Sequence, residues 1–554
     1  TPQPPPPMAT AAAPGEGASV TVTHATHASL QCSPLYAHIC ALLAAQFPLR
    51  NIHWRPGPEV RTLRPPEAAQ DPANPPPSQL RTVLELQVNL SPISEHAPAD
   101  MRLPVIQRMP MAHLFFVACD DNDVYRSQIR GEIRNWIASL AAHIPPDADG
   151  AVQRPNFLIV LVPPLQASPN TANAPAKGAM GRLYSMNKGT VLEKVRADFN
   201  SSAQDHVVYL PRLPSMASVP APADSALWIE LVARIKEMTT ATFGSIVAMQ
   251  DAAITAYDAD PAWTFSGHLH RVEQLVDTLQ HVDLLEDCVA IYDALEQRLH
   301  AGHAGVQSVG AAPGDDSILL LGPLRKPYRD MIARGTISLF DLHCYLYARR
   351  SMLLGALGHV AAVMAATRLF VIHVARLLRH EAPPFFVEAW SFSVALDAVE
   401  QCQAWMVEQS DDGGAQSFAF HASKTDLLAL AIEQLLTVGI RVGHLPATEP
   451  FRLRHVHPAP APAAQASISR KELREALDDR SVFDSQLRNI TQRCLVASSL
   501  SRRMHHIWQL RYLLACLDME RGADKSAGDA LAALAASAPR GWGMLLEPVI
   551  ARQL

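Results

Sequence analysis

The chain has 554 residues, 48% of them hydrophobic and 18% charged, with 47 basic against 53 acidic side chains and a formal charge of -6. Such a length exceeds what one hydrophobic core serves, so two or more domains are expected. The near-balanced charge lacks the basic surplus that phosphate contacts need, which argues against a nucleic-acid protein and against attachment to anionic lipid by net charge.

Residues 1–28 are Pro, Ala, Thr and Gly with few large apolar side chains, and they read as a disordered tail. The opening at Thr1, with Met8 inside the tail, reads as an excised piece or a misplaced start, and the proline run Thr1 to Pro7 is no signal peptide. From 29 to 215 helix and strand alternate. Leu35 to Phe47 predicts a helix stopped at Pro48. After a proline-rich insertion, Pro56 to Pro77, the stretch Val83 to Leu90 sets Leu84, Leu86, Val88 and Leu90 against Glu85, Gln87 and Asn89, the period of a half-buried strand. His113 to Cys119 and Phe157 to Val162 are continuous apolar runs, as in strands covered on both faces. Between them Ile129, Ile133, Ile137, Leu140 and Ile144 mark a helix. Thr190 to Phe199 reads as a further helix and Val207 to Leu210 as a further strand. The alternation predicts an α/β domain over 29–215 with largely parallel strands.

Beyond the proline-rich linker Pro211 to Pro222 the strand signal stops, and 224–554 predicts an irregular α-helical solenoid, making the chain mostly α overall. A long helix opens near Asp224 or Ser225, with Leu227, Leu231, Ile235, Met238, Ile246 and Met249 on one face. A hairpin follows over His268–Gln280 and Asp283–Leu299. Helical pattern continues over Leu339–Leu378, Phe392–Glu408, Thr425–Val438, Val482–Leu500, Ile507–Glu520 and Ser526–Ala536, with Gly522 placed to close a helix in the left-handed region. The pairs around 268–299 and 507–536 resemble tetratricopeptide hairpins, but no fixed period runs through the array. Loops are expected at 301–316, 409–416 and 445–466. Met352 to Leu378 is the best membrane candidate, yet Arg368, His373 and Arg376 interrupt it well short of the roughly 20 apolar residues a span needs; it reads as a buried helix pair.

The eight cysteines (Cys32, Cys40, Cys119, Cys288, Cys344, Cys402, Cys494, Cys516) include no CxxC and sit mostly in apolar pattern, the usage of a reducing, cytosolic compartment. Asp120-Asp121-Asn122-Asp123 invites a calcium-loop reading, but a loop opening at Asp121 puts Tyr125 at its fifth position and Arg126 where glycine is required. The carboxylates fit better as caps on the following helix. His268 and His270, His455 and His457, and His505 and His506 have no cysteine or carboxylate at ligand spacing. There is no G-x-S-x-G, no conspicuous Cys–His nucleophile pair and no GxxxxGK[ST], and the Gly178 to Gly181 cluster lacks the lysine–hydroxyl pair. No catalytic, cofactor-binding or metal-binding residue is therefore expected, and no cofactor. The order of elements over 113–210 is loosely that of the second half of a small GTPase, which makes the domain a GTPase-like shell without its nucleotide motifs.

Three strings go further: Pro48-Leu49-Arg50-Asn51-Ile52-His53-Trp54, Cys119 to Asp123 through Tyr125, Arg130, Glu132 and Trp136, and Val191 to Asn200. In order and spacing they resemble the N-terminal region of the heaviest-chain TRAPP II subunit family. Tyr345 to Arg350 followed by Met352-Leu353-Leu354, and the closing Gly541-Trp542, are similar to later stretches of that family. The resemblance implies a non-catalytic subunit of a complex peripheral to late-Golgi membranes, which supports Rab nucleotide exchange and vesicle tethering. Its partners would be the other TRAPP core and TRAPP II subunits, with the Rab and the membrane reached through the complex. The family's chains continue into β-sandwich domains, and this one ends at Leu554 still in helical pattern, so those domains are expected to lie outside it. No active-site residues carry over. Trp54 and Trp136 read as packing anchors, and Arg130, Glu132, Glu193, Lys194 and Arg196 as surface pairs or subunit contacts. The alternatives are a helical-repeat adaptor of another coat or tether, and a degenerate nucleotide-binding enzyme.

Overall fold

The computed structural model describes residues 19–31, 33–56, 60, 62, 82–95, 104–140, 155–163, 190–201, 204–210, 222–301, 310, 315, 319–322, 326–378, 382–383, 385–408, 415–446, 451 and 470–537. Two compact units result: Thr1–Trp263 with His270–Ile291, and Thr264–Leu269 with Tyr292–Leu554.

The first unit is built on six strands, β1 (Ser19–Thr26), β2 (Leu49–Trp54), β3 (Thr82–Pro92), β4 (Ala112–Ala118), β5 (Phe157–Val162) and β6 (Val207–Tyr209), in the order β2-β3-β1-β4-β5-β6. β1 lies parallel to β3 and β4, β5 joins β4 in parallel and β6 joins β5 in parallel. β2 runs antiparallel to β3 at the edge. This is the mostly parallel α/β sheet expected, and β4, β5 and β6 stand in the order the GTPase-like reading requires. Leu158 to Val162 and Leu114 to Val117 are all buried, which is why both strands read as unbroken apolar runs. On one face, helices Arg130–Leu140 and Val191–Phe199 pack into a single core with β4 and β5, through Phe115, Ile133, Trp136, Ile159 and Val195.

Two expectations need correction. The disordered tail assigned to 1–28 contains β1, a central strand whose Val20 and Val22 are buried. Its alternating Val and Thr is a strand signal that the Pro/Ala-rich neighbours obscured; residues 1–18 lie outside the described residues. The boundary placed near 224 also differs, because helix Pro222–Asp258 belongs to the first unit. Trp54 meets Phe243 edge-on at 4.8 Å. Thr242 Oγ1 donates to the Met111 carbonyl at 2.8 Å and accepts from Asn156 Nδ2 at 2.7 Å. Met111 and Asn156 immediately precede β4 and β5, so the helix docks at the amino ends of the strands.

In the second unit, helices Leu339–Ala356, Val360–Leu378, Phe386–Glu408, Ala415–Val442, Arg480–Leu500, Met504–Glu520 and Asp524–Ser537 each pack on the next, the nearest-neighbour pattern of a solenoid. Val360–Leu378 also reaches Ala415–Val442. Short helices at Tyr328–Ala333 and Lys471–Asp478 add to the expected series, and Ala415 already opens a helix at the end of the loop expected over 409–416. Val360–Leu378 is the one described helix long and apolar enough to cross a membrane, yet a stripe of it (Val360, Val363, Met364, Val371, Val374, Leu378) is buried against its neighbours. Two glycines set the helix spacing. A Cβ on Gly439 would overlap the Phe483 ring, and one on Gly355 would lie 2.6 Å from the Trp405 ring. Gly522 adopts φ 75° between the last two helices, as its position suggested.

Candidate functional site

Doubly wound sheets hold ligands outside the carboxyl ends of their strands, where the strand order reverses. Here that place is the end of β1, between β3 and β4. No glycine-rich turn leaves it. The chain passes through His27 directly into a short helix, Ala28–Gln31. His27 N–H donates to the Phe116 carbonyl at 3.1 Å, Thr26 Oγ1 donates to the same oxygen at 3.0 Å, and Leu30 N–H donates to His27 O at 2.9 Å. Leu30 is fully buried, and the half-exposed Glu132 carboxylate stands 3.3 Å from His27 Nε2. Two backbone N–H groups of this turn, those of His27 and Leu30, are thus already bonded, and the acidic turn at Asp120 and Asp121 ends the adjacent strand.

Beneath this end, His24 Nδ1 lies 2.6 Å from the Tyr36 hydroxyl and 3.9 Å from Cys40 Sγ. Burial holds the His24 ring below its ordinary pKa, against a smaller opposing pull from Glu95. Burial pushes the Cys40 thiol up to about 11. A thiol this far from ionisation is not an activated nucleophile.

The acidic turn does what capping requires: Asp121 Oδ1 accepts from Asp123 N–H at 2.7 Å. The helix it opens runs Asn122–Val124, then a π-turn Tyr125–Ile129, then Arg130–Leu140. Tyr125 and Ile129, at the two ends of the π-turn, are both buried in the core. Tyr125 donates from its hydroxyl to Asp198 Oδ2 at 2.8 Å, and Arg130 donates to Asp198 Oδ1 at 2.6 Å. Burial first, and then Asp198, keep the Tyr125 phenol above its usual pKa and therefore a donor. Trp136 packs on Phe115 at 4.9 Å and Phe157 at 6.0 Å between ring centroids. Two of the three strings that carried the resemblance, around 119–136 and 191–200, therefore meet in one knot of side chains. The third is β2. It carries a register shift between Leu49 and Ile52 at Asn51, whose φ of 58° suits asparagine, and it points Trp54 at the long helix. Trp54 lines a small apolar depression with Val20, Ile52, Leu86, Met111 and Phe243 that offers no charged group to a ligand.

The charged residues of these strings are not simple surface pairs. Glu193 closes a capping box with Thr190, Glu132 faces His27, and Arg130 clamps Asp198. Lys194 is half-buried and Arg196 exposed. Among the paired histidines, His268 is buried with Nε2 2.7 Å from Arg298 NH1, His270 sits 3.5 Å from Gln274, and the His505 and His506 rings lie 6.2 Å apart. His455, His457 and Gly178 to Gly181 lie outside the described residues.

Sequence reasoning missed a different trio. His300, the last residue of helix Leu285–His300, meets His343 of helix Leu339–Ala356 and His373 of helix Val360–Leu378 within the second unit. Ring centroids stand 4.5 Å apart for His300–His373, 5.2 Å for His343–His373 and 5.6 Å for His300–His343. His343 is buried, His373 half-buried and His300 exposed. Burial first, then the neighbouring His373 and His300, push the His343 pKa down to about 3. With the three spread over more than seventy positions and three helices, no local spacing could have joined them.

With that geometry established, comparison with known proteins adds a family. Residues 74–259 match the family model described as trafficking protein particle complex subunit 10-like, N-terminal. The matched segment ends one residue after helix Pro222–Asp258, in keeping with that helix belonging to the sheet's unit. Curated relatives named trafficking protein particle complex subunit 10 include one from Dictyostelium discoideum, 22% identical over 69% of this chain and 26% of its own length. Those from Mus musculus and Homo sapiens are each 22% identical over 60% of this chain and 25% of theirs. The matches span about a quarter of the relatives' length.

Proposed function

Taking as premise that this chain is a relative of the subunit 10 large subunits of TRAPP complexes, we propose that it is a non-catalytic scaffold segment of a TRAPP II-type complex in membrane trafficking. The observation that carries the reading is the coincidence of the family match with an α/β unit in which the turn after β1 has no glycine-rich loop and bonds the N–H groups of His27 and Leu30 within the chain. In this reading the sheet and the long helix serve as surfaces for other subunits. The helical array extends that role, since stacked helices expose long side faces suited to docking.

In this proposal the chain supports Rab nucleotide exchange and vesicle tethering at late-Golgi membranes from the cytoplasmic side, through the complex. Exchange requires a surface that opens the nucleotide site of the GTPase and no nucleophile or general base, so a scaffold without catalytic groups suffices. Reconstitution with TRAPP core subunits tests it. The chain should co-elute with the core and change which Rab loses a fluorescent guanine nucleotide, while the chain alone accelerates no release. Failure to associate with any TRAPP subunit would overturn the reading.

A further inference from the structure

The geometry points to a metal site: His300, His343 and His373 together bind one divalent transition-metal ion of the zinc class. The three contributing nitrogens already lie within 4.8 Å of one another. Tetrahedral coordination at about 2.0–2.1 Å brings imidazole nitrogens to about 3.3 Å apart, so binding requires the rings to close by about 1–1.5 Å. The rings meet at interplanar angles of 83°, 63° and 41°, so their edges converge and do not form a stack.

The surroundings favour an ion over three inert rings. A buried imidazole ordinarily satisfies its nitrogens by hydrogen bonding. Among the described residues no hydrogen bond engages any of these three rings, so their nitrogens are left to water or to an ion, whereas His24, His206 and His268 all have partners in the structure. Metal ligation uses the neutral ring. Exposed His300 leaves the third side open to solvent, which gives the ion a path in and leaves its fourth position to water. An all-imidazole donor set selects zinc, copper, nickel or cobalt over magnesium and calcium, which prefer oxygen. Arg376, one turn beyond His373, is the charge that opposes a cation, and it lowers the His373 pKa through the same repulsion. The bound ion would tie together three helices, Leu285–His300, Leu339–Ala356 and Val360–Leu378. This inference does not depend on the trafficking role proposed above.

The test uses the whole chain, stripped with chelator and titrated with Zn2+ against a chromophoric competitor, with Co2+ as a spectroscopic probe and Mg2+ as control. The expected result is one tightly bound Zn2+ per chain, four-coordinate visible bands with Co2+, a raised melting temperature and no response to Mg2+. His300→Ala, at an exposed position that cannot unfold the core, should weaken Zn2+ binding by at least about a hundredfold. His373→Gln should act likewise, whereas replacing both His505 and His506 with Ala should leave the tight site intact. The chain has 23 histidines, so weak binding elsewhere is expected, and the contrast between these variants decides. Absence of an equimolar tight site, or its full survival in His300→Ala, would overturn the proposal.

Discussion

The carboxyl end of the sheet and the histidine layer of the helical unit both bury titratable groups, and they treat them in opposite ways. At the sheet end the buried histidines and the capping carboxylate have partners: His24 meets Tyr36, His27 meets Glu132, and Asp121 takes a backbone N–H. At the histidine layer three imidazoles face one another with no hydrogen bond to any described residue. The first place has the topology of a ligand site and the second has none, yet it is at the second that three imidazoles converge. A fold's usual binding crevice becomes inert once the chain satisfies its own polar groups there, and a new site arises wherever packing leaves lone pairs converging.

The largest expected effect separates the two units. Ile133 is fully buried in the core beneath β4 and β5. Ile133→Asp places an unpaired charge there and should cost several kcal/mol, on the order of 4. Hydrogen exchange read segment by segment should show lost protection over 112–140 and 157–162 while 386–442 keeps its own. Unchanged protection in the sheet would remove Ile133 from the core.

Acid should act on the histidine layer with a defined sign. His343 has a folded pKa of about 3, against an ordinary value of 6.5, with His300 and His373 facing it and Arg376 near His373. Between those values the unfolded chain binds a proton that the folded chain does not, so stability falls as pH is lowered through that window. The loss is on the order of a few kcal/mol. Asp397, pushed up to about 6 by burial against the pull of Arg470, works the other way and stabilises the fold toward acid. The difference between wild type and His343→Gln, each melted at a series of pH values from about 7 to 4, isolates the histidine contribution. A pH-independent difference would mean that His343 is not held neutral by the fold.

Smaller changes probe the packing within each unit. Gly439→Ala forces the fully buried Phe483 ring aside and should destabilise the helical unit by about 1–3 kcal/mol, measured by denaturant unfolding. Tyr125→Phe removes one hydrogen bond to Asp198 and should cost about 1 kcal/mol without altering the core. A neutral result there would show that the Tyr125 hydroxyl adds nothing to the knot beyond packing and the Arg130–Asp198 pair.

Much of this was legible in the sequence wherever burial on both faces or a clear period wrote itself into the residues, as in Phe157 to Val162 or the isoleucines of the helix before it. β1 was not, because its Val-Thr alternation is embedded in a tail whose composition predicts disorder. β2 was not, because its register shift breaks the alternation to bury Leu49, Ile52 and Trp54. The capping role of Asp121 was readable from local order, while the partners of Arg130, Glu132 and Tyr125 depend on contacts to residues far along the chain. The histidine trio belongs to the same class: only the stacking of helices joins it.

Binding of guanine nucleotide to the whole chain, followed by fluorescence titration of a labelled GTP with Mg2+ present, tests most directly whether the α/β unit is a shell without nucleotide chemistry. No saturable binding is expected up to millimolar concentrations, because the turn after β1 carries no glycine-rich loop and already bonds the N–H groups of His27 and Leu30. Saturable binding at micromolar concentration that is competed by unlabelled GTP would contradict the scaffold account.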